Sequence, residues 1–412
     1  KKYHGYSFTD RKSTYVEGWF SKEFTVPATL KGNRIYLKFG ALAWESHIWV
    51  NGKKAGVHKG SFTGFKLDIT DLVEFDQKNS LRIWIYNDFG ERPVRHPYGK
   101  MFFPLANVGG INGGVELEAL PRVNISRCLI TPKLKSNSVE LDLRINNFTG
   151  KAGSYNATVV LEGQLYGKKS GIIKLNAGTV TLNKQSNSTS LKFKLDKPEL
   201  WTPQHPFLYN IYITLKDTRT GRIATCYRDR FGFRAFIIKE NKFFLNGERV
   251  RLYCGNIRTA GAWETYAPDK RKSRNYMRRQ KTSGANTIRY HMGGADSHRM
   301  LGMADEEGLF VISEFPMFHR VFHHLAFKNE SDRRVFMSNV LYEWKERLYR
   351  DYNHPACVIW SLSNEVWTDS TVDELNEIYS TMKPLDKQNR PMSAGSGLYS
   401  FGIPTLQVKT DF

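Results

Sequence analysis

The hydrophobic pattern of this chain changes near residue 238, and this change constrains the fold more than any other feature of the sequence. Before it, apolar and polar residues alternate with period two over short runs such as 34–39 and 81–86, which predicts β-strands. After it, short apolar runs alternate with longer stretches of helical pattern. Strands followed by strand–helix alternation predict a multidomain protein, with β-sandwiches first and a parallel βα domain second.

The part before residue 238 is long enough for two β-sandwich domains. Residues 1–122 read as all-β, and Asn51-Gly52 follows the run 47–50 as a pair typical of a type I′ hairpin turn. Residues 123–237 continue in β, and their length fits an immunoglobulin-like sandwich of about 100 residues. We therefore expect one sandwich in each part.

The part after residue 237 is too short for a complete barrel. Four or five βα units in series favour a (β/α)8 barrel over an open sheet, with strands expected at 250–254, 286–290, 309–314 and 357–362 and helices at 268–283, 296–307, 333–352 and 371–382. A complete barrel needs about 250 residues. We expect residues 238–412 to form only its N-terminal part of about five strands, with a sixth beginning near 406–409.

The charge of the chain raises the question of a polyanionic partner. Lys and Arg number 61 against 40 Asp and Glu, a net charge of +21. The basic run 270–274, with Arg278, Arg279 and Lys281, is the candidate nucleic-acid surface. It has no aromatic residues to stack on bases and would lie on the outer face of the first barrel helix, so a solvated helix face is favoured and no nucleic acid is expected.

The sequence pattern argues against a membrane-spanning helix and against a site built from paired cysteines. No apolar run approaches the roughly 20 residues of a membrane helix, so no membrane association is expected. The four cysteines form no CxxC pair, and we expect free, mostly buried thiols.

The segment 353–365 is the strongest candidate for chemistry. It is an apolar strand that ends in a carboxamide and a carboxylate, Asn364 and Glu365. Catalytic residues of barrels lie at the C-terminal ends of strands. Trp360 and Trp367 flank Glu365 and predict an aromatic cleft, in which desolvation would raise the pKa of a carboxyl and suit it to donate a proton near neutral pH. The alternative is a glutamate that stabilises a helix N-terminus.

The stretch ending in Ser363-Asn364-Glu365 resembles the acid/base signature of glycoside hydrolase family 2, which includes β-galactosidases and β-glucuronidases. Other segments resemble the family in its order along the chain: 50–56, 58–60, 65–70, 109–114, 200–209, 231–234, 244–248, 255–256, 285–289 and 304–314. The resemblance implies a jelly-roll, sugar-binding-like β-sandwich at 1–122, an immunoglobulin-like β-sandwich at 123–237 and the first part of a (β/α)8 TIM barrel at 238–412.

The resemblance also implies roles for individual residues. Glu365 would be the general acid/base of a retaining mechanism, and Asn364 would bind the 2-hydroxyl of the sugar in the −1 subsite. The nucleophile would be a second Glu after residue 412. Arg289 and Glu314 end strands on the same face and could hold sugar hydroxyls or the nucleophile's charge, with an internal ion pair as the alternative. The remaining candidate substrate-binding residues are His291, Trp367 and Asn256.

Two segments depart from the family pattern. After Arg289 the chain reads Tyr-His291-Met-Gly-Gly, whereas better-known members have the histidine one residue later, followed by Tyr-Pro. Magnesium-dependent members carry a Glu and a His shortly after the third strand. Here that stretch has His319 without the Glu, and a single histidine is a poor ligand for Mg²⁺, which prefers oxygen ligands. We expect neither a metal nor a cofactor. The sequence does not identify the sugar that the protein recognises.

The favoured function is a retaining exo-glycosidase that cleaves β-glycosidic bonds of an oligosaccharide or polysaccharide. An acidic or sulfated glycan is a candidate substrate because of the net charge, with Arg258, Arg289 and Arg320 as candidate contacts. The alternative is a non-catalytic carbohydrate- or polyanion-binding protein on a glycosidase scaffold. An oligomer is compatible with the sequence, and a periplasmic or secreted location is favoured.

Overall fold

The computed structural model describes most of the chain. The described residues are 17–43, 45–86, 110–111, 114–258, 270–291, 297–315, 330–364 and 372–395. Glu365, Trp367, His319 and Arg320 lie outside them, as does the sixth strand expected near 406–409.

The N-terminal domain is a β-sandwich of antiparallel strands. Its strands are β1 (Glu17–Thr25), β2 (Arg34–Phe39), β3 (Leu42–Ala43), β4 (Glu45–Val50), β5 (Lys53–Lys59), β6 (Phe65–Asp68), β7 (Lys78–Tyr86), β8 (Gly110–Ile111) and β9 (Val115–Leu120), with a 3-10 turn at Ala28–Leu30. One sheet has the order β1-β7-β4-β5 and the other β6-β2-β9. Period-two alternation turns Ile83, Ile85 and Ile48 into the core. Asn51 and Gly52 both have positive φ, as the type I′ prediction requires.

The second domain is a larger sandwich with its own core. Its strands are β10 (Val123–Lys133), β11 (Ser138–Asn147), β12 (Gly153–Leu165), β13 (Lys168–Leu182), β14 (Gln185–Lys194), β15 (Leu208–Asp217) and β16 (Ile223–Phe231), with a 3-10 turn at Leu134–Ser136. The sheets have the orders β10-β11-β14 and β13-β12-β15-β16. Buried side chains from both sheets, such as Ile145 and Ile213, meet between them.

A small antiparallel sheet leads into the barrel. It comprises β17 (Phe236–Lys239), β18 (Lys242–Leu245) and β19 (Glu248–Val250). Here the sequence prediction was wrong: Val250 ends β19, and the first barrel strand begins only at Cys254. The cause is a second Asn-Gly hairpin at Asn246-Gly247, where both residues have positive φ and return the chain into this sheet.

The barrel strands are all parallel. They are β20 (Cys254–Arg258), β21 (Thr287–His291), β22 (Phe310–Glu314), β23 (Cys357–Ser361) and β24 (Met392–Ser393), in that spatial order. The helices between them are α1 (Lys270–Thr282), α2 (Ser297–Glu307), α3 (Glu330–Asp351) and α4 (Val372–Met382), with a 3-10 turn at Lys383–Leu385. These elements agree with the predicted strand–helix alternation, and β24 is a fifth strand to which the sequence analysis assigned no residues.

Both sandwiches dock on α3 of the barrel through specific hydrogen bonds. The buried Glu343 carboxylate accepts the backbone N–H groups of Ser61 (2.9 Å) and Phe62 (3.2 Å) from the N-terminal domain. Just after α3, Asn353 accepts from Ile130 N at 2.8 Å and donates to Cys128 O at 2.8 Å. Both sandwich domains therefore contact the barrel domain directly. The predicted domain boundaries at 122 and 237 stay predictions.

Part of the basic run on α1 pairs with two acidic residues of α2. Arg274 and Arg278 pair with Glu307 at 2.7 and 3.0 Å, and Arg274 also pairs with Glu306 at 2.6 Å. Lys281 donates to the carbonyl oxygen of Glu307 at 2.6 Å. Arg278 stays exposed, as the expectation of a solvated helix face requires, whereas Arg274 and Lys281 are half-buried.

The thiol and membrane predictions have separate outcomes. All four cysteines are free, but only Cys128 and Cys357 are buried, whereas Cys226 and Cys254 are exposed. In the part of the chain that the structure describes, no helix combines the length and the apolar character needed to cross a bilayer.

Candidate active site

Three neighbouring parallel strands bring polar side chains to one end of the barrel. In the register of the sheet, Arg289 lies opposite Ile312, and Glu314 lies opposite Ser361. Because side chains alternate along a strand, Arg289, Glu314 and Ser361 share one face, and so does His291, two residues after Arg289. The C-terminal ends of parallel strands are where barrel enzymes place their catalytic groups.

Glu314 is the centre of a charged hydrogen-bond network at this position. Its Oε2 accepts from Arg289 Nε at 2.9 Å and from Arg289 Nη2 at 2.5 Å. Its Oε1 lies 2.7 Å from His291 Nδ1, and Ser361 Oγ lies 3.5 Å from Oε2. The same Arg289 Nη2 donates to Asn364 Oδ1 at 2.6 Å, so one guanidinium joins the ends of three strands.

The charges in the network determine which atoms donate. Glu314 is fully buried, and the Arg289 side chain, 21% exposed, supplies the compensating charge that a buried carboxylate requires. Because an ionised carboxylate only accepts, His291 must donate from Nδ1. Because a guanidinium only donates, the Asn364 atom that faces Arg289 must be Oδ1. The Asn364 amide is thereby oriented, with its NH₂ group on the side away from Arg289.

The backbone around Asn364 is held by the next strand. Leu362 N donates to Ser393 O at 2.8 Å, and Ser363 Oγ donates to Ala394 O. Gly395 passes so close that a β-carbon there would lie 2.6 Å from Ser363 O, which explains why glycine occupies this position. In this arrangement only 2% of Asn364 is exposed.

The structure brings together four of the predicted site residues: Arg289, His291, Glu314 and Asn364. Asn256 lies opposite Arg289 in the register of β20 and β21, and its backbone carbonyl accepts from Tyr276 Oη at 3.1 Å. Within the described part of the chain, its exposed side chain makes no hydrogen bond to the network. Glu365 and Trp367 belong to the residues that the structure does not describe, and the side chain of Arg258 is not described either.

One sequence prediction about the cleft was wrong. Trp360 does not flank the site, because it is fully buried on the opposite face of β23 and donates from Nε1 to Asp386 Oδ2 at 2.9 Å. The guanidinium of Arg390 lies over its ring at 4.7 Å and also binds Asp386. Trp360 therefore anchors the strand to the segment after α4.

Sequence reasoning missed Ser361, which ends β23 beside Glu314, and Ser363, which holds the backbone before Asn364 to the segment after β24. Polar residues at alternate positions near the end of an apolar strand were the available signal. The first half of the same motif has another function: Asn353 docks the immunoglobulin-like domain, and His354 Nδ1 lies 2.5 Å from Asp305 Oδ2. Burial alone would lower the pKa of His354, but the hydrogen bond and charge of Asp305, together with the charge of Asp351, raise it.

Among the described residues, no group of three or more His, Cys, Asp or Glu side chains could hold a metal ion. The segment with His319 lies outside them, so the expectation about magnesium stays a prediction.

Three sequence models of one family match the chain in consecutive segments. They are described as "Glycosyl hydrolase 2 galactose-binding domain-like" over residues 8–100, "Glycosyl hydrolases family 2" over 123–234 and "Glycosyl hydrolases family 2, TIM barrel domain" over 236–401. Among curated proteins, a putative β-glucuronidase of Formosa agariphila is 28% identical over 385 residues, 90% of this chain and 43% of that protein. A β-galactosidase of Thermoanaerobacter pseudethanolicus is 28% identical over 370 residues, 87% of this chain and 46% of that protein.

Solved structures show the same architecture. A β-glucuronidase of Bacteroides uniformis, covalently bound to cyclophellitol-6-carboxylate aziridine, superposes with a TM-score of 0.74 at 23% identity, covering 93% of this chain and 47% of that one. A putative β-galactosidase of Bacteroides fragilis has a TM-score of 0.73 at 22% identity, covering 92% and 56%. The chain therefore spans about half the length of the relatives that it matches.

Proposed function

Since this chain belongs to glycosyl hydrolase family 2, we propose that it carries the acid/base half of the active site of a retaining exo-acting β-glycosidase. Glu365, which directly follows Asn364 in the sequence, donates a proton to the glycosidic oxygen as the bond to the leaving group breaks. A second carboxylate, assigned by the resemblance to a position after residue 412, attacks the anomeric carbon. The covalent glycosyl–enzyme forms, and Glu365 then removes a proton from the water that hydrolyses it.

The proposed substrate contact is the amide of Asn364. With Oδ1 facing Arg289, the NH₂ group is the donor side of this amide, and we assign it to the 2-hydroxyl of the −1 sugar. Hydrogen bonds to that hydroxyl strengthen in the transition state of glycoside hydrolysis. Arg289 and Glu314 are positioning residues in this scheme, because they act on the sugar through Asn364.

The observation that carries the proposal is the 2.6 Å bond from Arg289 Nη2 to Asn364 Oδ1. It connects the residue before Glu365 to a buried charged network at the ends of β21 and β22. An ion pair serving stability alone would need only Arg289 and Glu314, and the extension to Asn364 is what supports a site here.

The test is Glu365→Gln in the full-length protein, assayed on aryl glycosides whose leaving groups differ in acidity. We expect kcat/KM to fall about 10²- to 10⁴-fold for poor leaving groups and much less for activated ones, which need little protonation. Glu248→Gln, the same change on an exposed carboxylate of β19, is the control and should leave both values unchanged. Full activity of Glu365→Gln on poor leaving groups would reject the assignment.

An acidic or sulfated glycan is the finer proposal for the substrate. The net charge of +21 and the β-glucuronidases among the relatives support it. The pairing of Arg289 with Glu314 counts against Arg289 as the anion-binding group, so other cations would have to serve. Attraction to an anion weakens with salt, because the Debye length falls from about 10 Å at 0.1 M to about 3 Å at 1 M. KM for an aryl glucuronide should therefore rise with salt, while KM for a neutral aryl galactoside stays constant; equal responses would refute the anionic substrate.

His291, Trp367 and Asn256 remain proposed substrate-binding residues. His291 is the best supported of the three, because its bond to Glu314 fixes the ring and leaves Nε2 with the acceptor lone pair when the ring is neutral. The alternative function, a glycosidase scaffold that binds glycans without cleaving them, predicts no turnover of any aryl glycoside by the full-length protein.

A further inference from the structure

Five aromatic rings form a connected strip on the outer face of the sheet β1-β7-β4-β5 in the N-terminal domain. We call this strip the aromatic platform; its members are Trp19, His47, Trp49, Trp84 and Tyr86. Successive ring centroids lie 5.3 Å apart from Trp19 to Trp49, 6.0 Å from Trp49 to His47, 5.1 Å from His47 to Trp84 and 5.8 Å from Trp84 to Tyr86. The strip crosses from β1 to β4, two strand spacings or about 10 Å.

The platform is on the solvent side of the sheet and does not belong to the core. Trp84 lies between Ile83 and Ile85, which face inward and are almost completely buried. Trp19 and His47 are its register partners on β1 and β4, so all three side chains leave the sheet on the outer face. Trp19 is 65% exposed. A solvent-facing sheet surface is ordinarily polar, and a connected aromatic patch on it indicates a binding surface.

Charged side chains alternate with the rings across the same face. Glu17 and Glu45 lie opposite Tyr86, and Glu17 Oε2 accepts from Trp84 Nε1 at 3.1 Å. Glu45 Oε1 lies 2.8 Å from His47 Nε2, and its other oxygen lies 3.5 Å from Lys59 Nζ. These contacts place polar groups at the rims of the rings.

Basic residues balance the acids on this face. Arg82 and Lys54 lie opposite Trp49 on either side of it, and both are exposed. With Lys59, and with the ion pair of Lys78 and Glu23 on the same face, they make four bases against three acids, a nearly balanced surface in a protein of net charge +21. The aromatic platform therefore carries little of the excess positive charge of the protein. Its charge does not favour a polyanion as the ligand.

We propose that the aromatic platform binds an uncharged glycan chain at a site separate from the catalytic network. The C–H face of a pyranose ring is apolar and packs flat on an aromatic ring, while its hydroxyls both donate and accept at the rim. The hydroxyls of such a ligand can hydrogen-bond to carboxylates and to ammonium groups alike. The central part of a protein–protein interface is depleted of charged residues, and covering Glu17 and Glu45 with an apolar partner would leave them desolvated.

The site goes beyond the proposed function, because none of its residues belongs to the Arg289–Glu314–Asn364 network. Its effect would be to hold an uncharged stretch of a polysaccharide near the barrel and so raise the local concentration of chain ends, including ends that carry an acidic sugar. The platform can therefore fail its test while the glycosidase assignment stands, and the converse also holds.

The test is affinity electrophoresis of the full-length protein in gels that contain galactomannan, arabinogalactan or xyloglucan as uncharged probes and polygalacturonate as the charged one. We expect retardation by at least one uncharged polysaccharide. Trp19→Ala and Trp49→Ala should each raise the apparent Kd about tenfold, and Trp19→Phe should retain part of the binding. Tyr166→Ala removes an exposed ring from the second domain and should bind as the wild type does.

Several outcomes would overturn the proposal. Mobility unchanged in every uncharged gel would do so, as would binding that survives both Trp→Ala changes in variants whose thermal midpoints match the wild type. Retardation by polygalacturonate alone would assign the affinity to the positive charge of the chain. A dimer in sedimentation velocity that dissociates in Trp19→Ala would assign the platform to a second copy of this chain.

Discussion

Replacing Arg289 with methionine should uncouple Asn364 from the charged network. The change keeps an apolar stem of similar length but removes the guanidinium that donates to Glu314 at 2.9 and 2.5 Å and to Asn364 at 2.6 Å. Without that donor, the Asn364 amide loses the charged group that holds Oδ1 and orients its NH₂ group.

The magnitude follows from the bond that is lost. A hydrogen bond to a charged group contributes about 1.5–3 kcal/mol, and about 1.4 kcal/mol corresponds to a factor of ten in rate. We therefore expect kcat/KM on an aryl glycoside to fall about 10- to 100-fold. Stability should fall as well, by about 3–5 kcal/mol, because the buried Glu314 loses its counter-charge.

The assay compares two substrates, an aryl glycoside and its 2-deoxy analogue, with the full-length protein. If Asn364 contacts the 2-hydroxyl, the loss in Arg289→Met should be large for the parent glycoside and should shrink toward none for the 2-deoxy analogue. Arg289→Lys keeps a charge beside Glu314 but cannot reproduce the forked geometry, so it should retain most of the stability and still show the substrate-dependent loss. Arg279→Met, on the exposed face of α1, is the control.

Two results would refute this reasoning. Equal losses on both substrates would mean that Arg289 does not act through the contact between Asn364 and the 2-hydroxyl. Unchanged kinetics in a variant with lowered stability would mean that the Arg289–Glu314 pair is structural only.

Two predictions concern the docking of the N-terminal domain on α3. Burial raises the pKa of Glu343 from 4.5 to about 7, so the folded protein holds a proton that the unfolded chain releases, and stability should fall by about 3 kcal/mol as the pH rises from about 4.5 to 7. Glu343→Met should flatten this part of the curve of thermal midpoint against pH, and parallel curves for the two proteins would contradict it. Gly60→Ala would place a β-carbon in the space that Glu343 Oε1 occupies and should destabilise by about 1–3 kcal/mol. Calorimetry should show this loss reduced when Glu343→Ala is also present, and simple additivity would contradict the contact.

Local signals in the sequence were enough for most of the fold. Period-two runs predicted β2, β4 and β7, and Asn51-Gly52 predicted the hairpin between β4 and β5. The same Asn-Gly signal at Asn246-Gly247 was overlooked, and the first barrel strand was placed too early as a result. Local sequence patterns, such as period-two alternation and Asn-Gly pairs, therefore contained enough information to place these strands and turns.

The candidate site needed information that is not local. The bond between Arg289 and Asn364 joins residues 75 positions apart, and it depends on the register of three parallel strands. The side on which Trp360 lies could not be read from β23, because a parallel strand buried on both faces is apolar throughout and has no alternation to interpret. Ser361 and Ser363 became meaningful only through their partners on β22 and after β24.

The central claim is that Glu365 is the acid/base residue of a retaining glycosidase, and chemical rescue of Glu365→Ala by azide tests it most directly. Azide attacks the glycosyl–enzyme without needing a general base, so it should restore turnover of an activated aryl β-glycoside and give the β-glycosyl azide, detected by NMR. No rescue, or a product of α configuration, would contradict the account.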